Sequence, residues 1–554
     1  MHVLNWFRLS RKRWWSIGQF LTLSICCCAL IISCGGQPKT EQAAAPNGNA
    51  SSGDRIIVGT TLKPRTLDPA DAYELAASNV LYSLGDRLYT YKLGTDELQP
   101  QLATKLPEVS PDGLTYKIPV REGVVFHDGT PFNAEAMAFS LKRFIENGGK
   151  PSSLLAPLVQ SVEATGKNEL TIKLTKPFAP FPSLLAFSGL CAVSPKAYEI
   201  GDQKFQPTTF VGTGPYRLVS FAPNSIRLDT FEQYWGEKPP NQGLDFQILT
   251  SPANLFNSFR TGAVDIAYQS LDPDQITSLK DRAKSGGWQV IEAPSNVISY
   301  MVLNTKQAPF DQLEVRQAFA YLMNRKLINE RVLRSQAQPA YTLIPTSFNA
   351  SKPTFETAYG DGNIAKAKEL LTKAGFTPEK PLKLDIWYPT SSSVRQQVAG
   401  TLREYAAQQL GGIVQIQPQP VEAATLFGKI GQGIYQSALV DWYPDFSDPD
   451  NFIQPLVSCS KGSEATGCEE GASKSQGSFY YSERMNNLIE QERTEQDPQK
   501  RKQIFAEIQD LLAQDVPIIP IWQPQEYAFA KQELQQVKLD PIQQLPLWEI
   551  AKGA

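Results

Sequence analysis

"DWYPDFSDPDNF", residues 441–452, sets four aspartates among a tryptophan, a tyrosine, two phenylalanines and two prolines. Pro444 and Pro449 stand too close together for a helix, because each lacks an N–H donor and clashes with the preceding turn, and aspartates disfavour strands. The stretch therefore reads as an ordered loop whose prolines hold apolar rings and carboxylates in a fixed relation. Asp448 before Pro449 and Asn451 after it read as turn residues, and Asp450 as a cap for a following helix. The glycine, spacing and terminal glutamate of an EF-hand are missing, so no metal is expected here.

Outward from this loop, strands and helices alternate without a fixed repeat, which is the pattern of a mixed α/β chain with more than one lobe. "RIIVGTT" from Arg55 predicts a strand, and Val80, Leu81, Leu84 and Leu88 give helical spacing over 78–91. Leu114, Tyr116 and Ile118 alternate in one strand of an expected hairpin whose second strand is Val124 to Phe126. Asn133 is placed to cap the helix "AEAMAFSLKRF". "VEATGKNELTIKLTKP" predicts another hairpin, and Gly212 and Gly214 a tight backbone feature before a strand from Tyr216. Val315, Ala318, Phe319 and Leu322 mark a helix; Asp497-Pro498 open another, which gives way to the strand "VPIIPIW". Neither a phosphate loop nor a dinucleotide glycine pattern occurs.

The N-terminus reads as an export address. Arg8, Arg11, Lys12 and Arg13 precede the apolar run "SIGQFLTLSICCCALIIS". Its end, Ile31-Ile32-Ser33-Cys34, resembles the bacterial lipobox, which implies a signal peptide over 1–33, acylation of Cys34 and a flexible tether over 34–53. A plain membrane anchor is the alternative. Without residues 1–33, four of the 53 Lys and Arg and none of the 56 Asp and Glu are lost, so the net charge becomes 49 − 56 = −7. Such an acidic body lacks the concentrated basic surface that nucleic acid requires. Cys459 and Cys468 flank a polar loop and are expected to form a disulfide in an exported protein, while Cys191 reads as a buried thiol. His127 is the one histidine after the signal, too few for a multi-histidine metal site, and it reads as a turn stabiliser.

Five segments in order carry a resemblance: "LATKLPEVSPDGLTYKIPVREGVVFHDGTPFNAEAMAFSLKRF", "GTGPYRLVSF", "NTKQAPFDQLEVRQAFAYLMNRKLI", "DWYPDFSDPDNF" and "VPIIPIWQPQEYAF". Together they resemble the family 5 extracellular solute-binding proteins of ABC importers, the oligopeptide- and dipeptide-binding type. The resemblance implies an α/β, two-lobed periplasmic-binding-protein fold of type II, cluster C-like, with an extra domain. Lobe I would comprise 54–87, 209–297 and 517–554, the extra domain 88–208, and the far lobe 298–516. Ligand would lie between the lobes, and closure over it is what a membrane permease recognises.

The resemblance also gives the opening stretch a role. Its Trp-x-x-Asp motif matches Trp442, Tyr443, Pro444 and Asp445, with Asp445 the carboxylate for a peptide's α-ammonium and Trp442 an apolar wall. An ammonium buried alone would be strongly disfavoured. Tyr300 falls at the implied crossover between lobes, where its ring either faces ligand or packs, and Leu67, Asp68 and Pro69 either line the cleft or form a turn. Dipeptide-binding relatives carry an arginine for the ligand carboxylate in a loop that here reads Ser391, Ser392, Ser393; Arg395 is close but begins the next helix. The implied function is a monomeric, lipid-anchored receptor at the periplasm or cell surface that delivers peptides to an ABC permease, with no cofactor. An oligosaccharide or metal-chelate carrier on the same scaffold is the alternative. An envelope hydrolase is the rival from another class, and no nucleophile motif accompanies the acids.

Overall fold

The computed structural model describes residues 54–539 and 545–553; the expected signal peptide, Cys34 and tether lie outside the described residues. Among the described residues, no helix is long and apolar enough to cross a membrane.

A strand of 14 residues, Ile518–Lys531, is the spine of the molecule. The apolar run "VPIIPIW" covers only its first half; the remainder passes through Pro524 into the other lobe. Prolines lack the ladder donor and are excluded from ordinary central strands. Here the pairing changes partner around them: residues 518–522 pair with Ile298–Leu303, and residues 525–531 with Trp288–Pro294. The two crossing segments run antiparallel between the lobes.

Among the described residues this spine belongs to a twelve-stranded sheet. Beyond Ile298–Leu303 the sheet continues through Ser437–Trp442, Leu382–Pro389 and Val414–Val421; in the other direction it continues through Ile266–Tyr268, Ile56–Thr60 and Gly243–Ile248 to the hairpin of Ser225–Thr230 and Tyr216–Ala222. Strand 298–303 is buried along its whole length, with Met301 and Leu303 in one core and Tyr300 and Val302 in another, the two-residue period of a strand covered on both faces. Tyr300 is therefore 1% exposed and packs, rather than facing the space between the lobes.

The extra domain has its own core around Tyr116, Ile118, Phe126, Leu141, Phe144 and Ile172. Asn133 caps helix Ala134–Glu146 by accepting from the Ala136 N–H at 2.9 Å. The hairpin expected between 114–118 and 124–126 does not form. Strand Thr115–Pro119 pairs with Glu169–Leu174 and Glu108–Val109, and Val125 makes only an isolated bridge to Pro131. Gly123, at φ 77°, turns the chain away. The first helix spans Leu75–Leu84, shorter than the spacing predicts; Gly85 follows it, and Leu88 is buried in the next domain's core.

"GTGPY" joins lobe I to the extra domain. The Gly214 N–H donates to Leu84 O at 3.0 Å, and a Cβ at Gly214 would lie 2.5 Å from the Leu84 carbonyl carbon. Thr213 donates to the buried Asp86 at 3.0 Å. His127 grips the same turn: the Gly212 N–H donates to Nδ1 at 3.3 Å and Nε2 meets Gly214 O at 3.0 Å. Desolvation lowers the imidazole pKa to about 4, so the ring is neutral at pH 7.

Cys459 and Cys468 are bonded (S–S 2.11 Å) beside the hairpin Lys461–Ser463/Gly467–Glu470, and Cys191 is buried with its thiol pKa raised to about 12 by desolvation. Asp68 is an anchor: its two oxygens accept from Arg143 at 2.8 and 2.7 Å, and it also accepts the Gln206 N–H at 2.6 Å. Both side chains are almost wholly buried. Removing one member of such a pair strands the other charge, so Asp68→Ala is expected to lower stability by about 3–5 kcal/mol in denaturant titration.

Candidate functional site: the cleft between the lobes

The loop from Tyr443 to Ser447 leaves strand Ser437–Trp442, so Asp441 and Trp442 end a strand rather than belong to the loop. A short 3-10 turn, Pro449–Phe452, follows, and Asp448 caps it by accepting the Asp450 N–H at 2.9 Å. Asp450 is not a helix cap. It is 2% exposed and turned inward toward Arg493 at 3.5 Å and the carboxyl of Glu492. Arg501 binds both oxygens of Asp448 at 2.8 and 2.6 Å and reaches Glu492 at 2.8 Å. Burial and the neighbouring Asp450 carboxylate hold the Glu492 pKa well above the usual range.

Two contacts tie the loop to the extra domain: the Ser447 N–H donates to the Tyr91 hydroxyl at 3.1 Å, and Phe446 enters that domain's core. Asn451 staples the loop to itself. Its Oδ1 accepts from the Asp445 N–H at 2.9 Å and the Trp442 indole at 3.3 Å. Every residue of the opening stretch other than Tyr443 and Asp445 is thus engaged in the fold or packed against it.

Asp445 is deep within the protein yet partly accessible. Its carboxylate accepts from the Asn451 side chain and from the hydroxyl of Tyr73, which comes from lobe I, so the contact bridges the lobes. No cation pairs with it among the described residues. Desolvation, only partly offset by the two donors, raises its pKa to about 6.

A cavity of about 630 Å³ separates the lobes nearby. Tyr443, 49% exposed, stands in its wall with Trp522, Tyr527, Gln525, Asp441 and Arg395. Arg395 lies in the first turn of helix Ser393–Leu410, capped by Ser392 at 3.2 Å, and its side chain reaches the cavity, where Asp441 pairs with it. The Ser299 hydroxyl holds Asp441 in turn at 2.6 Å. The guanidinium charge is thereby balanced, but Arg395 Nε stays buried without a partner, as does Gln525 Oε1. Such orphan atoms are rare in interiors, and here both belong to residues that line one cavity. On the rim, Ser393 donates to Asp272 at 3.2 Å and Arg334 pairs with Asp274 at 3.0 Å, both across the lobes.

The structure places Tyr443 in the wall of the cavity, whereas Asp445 does not line it and instead meets Tyr73 across the lobes. Trp442 is half-buried against the far-lobe core and supports the loop through its indole N–H. Tyr300, Leu67 and Asp68 belong to the interior. Asp441 and Trp522 lie in stretches that the sequence reading quotes but gives no site role, and Tyr73 is missed altogether, since it reaches Asp445 from a distant segment.

Residues 97–464 match the bacterial extracellular solute-binding proteins, family 5. The chain belongs to that family. It is 26% identical over 514 residues to the dipeptide-binding protein of Escherichia coli, covering 86% of this chain and 90% of that one. It is 27% identical over 478 residues to the glutathione-binding protein of Salmonella typhimurium, covering 84% and 88%. The crystal structure of a Pseudoalteromonas dipeptide-binding protein in complex with Met-Leu superposes with a TM-score of 0.76 at 22% identity, over 90% of this chain and 99% of that one. The fold of this family 5 member is therefore the two-lobed, type II periplasmic-binding-protein fold.

Because burial beside the Asp450 carboxylate favours the neutral form of Glu492, the neutral side chain of Glu492→Gln is expected to leave the melting temperature nearly unchanged. Arg501→Ala strips Asp448 of its partner and is expected to cost about 3–5 kcal/mol, read by the same melts.

Proposed function

We propose that the protein is the receptor of an ABC importer, which binds peptides between its lobes through their α-ammonium and main chain and delivers them to a membrane permease. The observation that carries this reading is Asp445, a carboxylate where the lobes meet at Tyr73, with two neutral donors and, among the described residues, no cation. A guest ammonium supplies the missing charge, and excluding water strengthens the pair. Arg395 Nε and Gln525 Oε1 offer a donor and an acceptor for the C=O and N–H that every peptide presents, which gives tolerance of side chains. The relatives named for dipeptide and glutathione support the ligand class.

The proposed division keeps lobe I at 54–87, 209–297 and 517–554, the extra domain at 88–208 and the far lobe at 298–516, hinged where the two crossing segments pass. Acylation at Cys34 would hold a monomer near the membrane that carries the permease. The oligosaccharide alternative calls for several open aromatic faces, whereas of the aromatics in the cavity wall Tyr443 is open and Trp522 and Tyr527 are each only 6% exposed.

Native mass spectrometry of freshly purified protein, followed by denaturation, is expected to release peptides; recovered sugars would overturn the ligand class. Asp445→Asn is expected to weaken peptide binding by about 2–5 kcal/mol in calorimetry, the range for removing one member of a buried charge pair.

The pH dependence follows from the raised value at Asp445, which faces Tyr73 and Asn451. Between about pH 4 and 6 the folded protein holds more protons on this group than the unfolded chain, so its ionisation lowers stability as pH rises through that window. A cationic guest favours the ionised form. Affinity is therefore expected to rise from pH 5 to pH 7.5, by about tenfold through Asp445, and to level off above.

A further inference from the structure

The cavity between the lobes contains an anion site that the protein fills with a side chain of its own. Among the described residues that line the cavity, Arg395 is the one cation, and it stands in the first turn of helix Ser393–Leu410 with Ser391, Ser392 and Ser393 beside it in the wall. A guanidinium at a helix N-terminus, where the macrodipole also favours negative charge, is an arrangement that receives carboxylates. In a peptide receptor the corresponding guest group is the carboxylate at the peptide's C-terminus.

Asp441 takes that place. It lies on strand Ser437–Trp442 opposite Ser299, and both of its oxygens are committed: Oδ2 accepts from Arg395 Nη2, and Oδ1 accepts from the Ser299 hydroxyl at 2.6 Å. The side chains of Arg395 and Asp441 are each 15% exposed, and all three residues line the cavity. A guest carboxylate would have to displace Asp441 and leave it in a largely buried site without a cation, which is strongly disfavoured. Among the described residues of the wall the one other charge is a second acid, Asp272, which caps helix Pro273–Gly286. Of the cations nearby, Arg334 is paired with Asp274 at 3.0 Å and Lys280 with Glu292 at 2.9 Å, while Lys63, next to cavity-lining Leu62, is exposed and stands outside the wall.

We propose that Asp441 is a specificity-determining residue: by occupying Arg395 it keeps the cavity from binding a free C-terminal carboxylate, so the receptor takes peptides whose carboxylate is capped or lies beyond the cavity. This rests on the peptide-receptor reading and adds to it which end of the guest goes unread.

The test is calorimetry at pH 7.5 with trialanine and pentaalanine, each as the free acid and as the C-terminal amide. In the unaltered protein the amide is expected to bind at least as tightly as the acid at both lengths. Asp441→Asn keeps the shape and an acceptor for Ser299 but removes the charge, and at one length at least it is expected to bind the acid about tenfold or more tighter than the amide. Asp441→Ser, smaller and equally neutral, is expected to show the same preference. Adding Arg395→Gln to either variant is expected to return the ratio to about one; Lys63 is intact throughout, so this step separates the two cations. Each ratio is internal to one variant, so a general loss of folding or affinity does not imitate the result. An acid bound about threefold or more tighter than its amide by the unaltered protein, neutral variants at position 441 that do not distinguish the two forms, or a preference that survives Arg395→Gln would overturn the proposal and leave the peptide receptor standing. Failure of every peptide to bind the unaltered protein would overturn both.

Discussion

A carboxylate enclosed by protein without a cation is an unstable arrangement, and Asp445 is kept in it by everything around the loop. Left to relax, such a group would turn toward solvent or find an arginine. Pro444 stiffens its approach, Asn451 fixes its backbone N–H, and Arg501 clamps Asp448 three residues further on. Phe446 and Ser447 are committed to the extra domain. The cost of holding the charge in place is distributed over buried networks that do not themselves touch the cavity.

Those networks also explain why the opening stretch is so acidic. Asp448 and Asp450 lie beside Glu492, Arg493 and Arg501, a cluster in which three carboxyls share two guanidiniums and the Glu492 pKa is pushed up. Acids that look interchangeable in the sequence therefore differ in the fold: Asp448 and Asp450 are paired inside it, and Asp445 has only neutral donors among the described residues. On the other side of the cleft, the Asp68–Arg143 pair does for the 61–74 loop what Arg501 does for this one, and that loop delivers Tyr73 to Asp445.

Local chemistry made much of this legible beforehand. Prolines, caps and apolar periodicity located the helices at 134–146, 313–322 and 498–515 because those signals act within a few residues. Pairings between distant segments left no such mark: strand 115–119 chose 169–174 over its expected neighbour, and strand 518–531 ran on through Pro524 once two partners took turns beside it. Tyr300 shows the same limit. Alternation along "VISYMVLN" identifies two faces, but only the strands stacked on each face decide that both are core.

The site follows the same division. Asp441, Tyr443 and Asp445 stand in one contiguous stretch, whereas nothing adjacent in sequence tells that Arg395, 46 residues away, pairs with Asp441 or that Tyr73 reaches Asp445 from the other lobe.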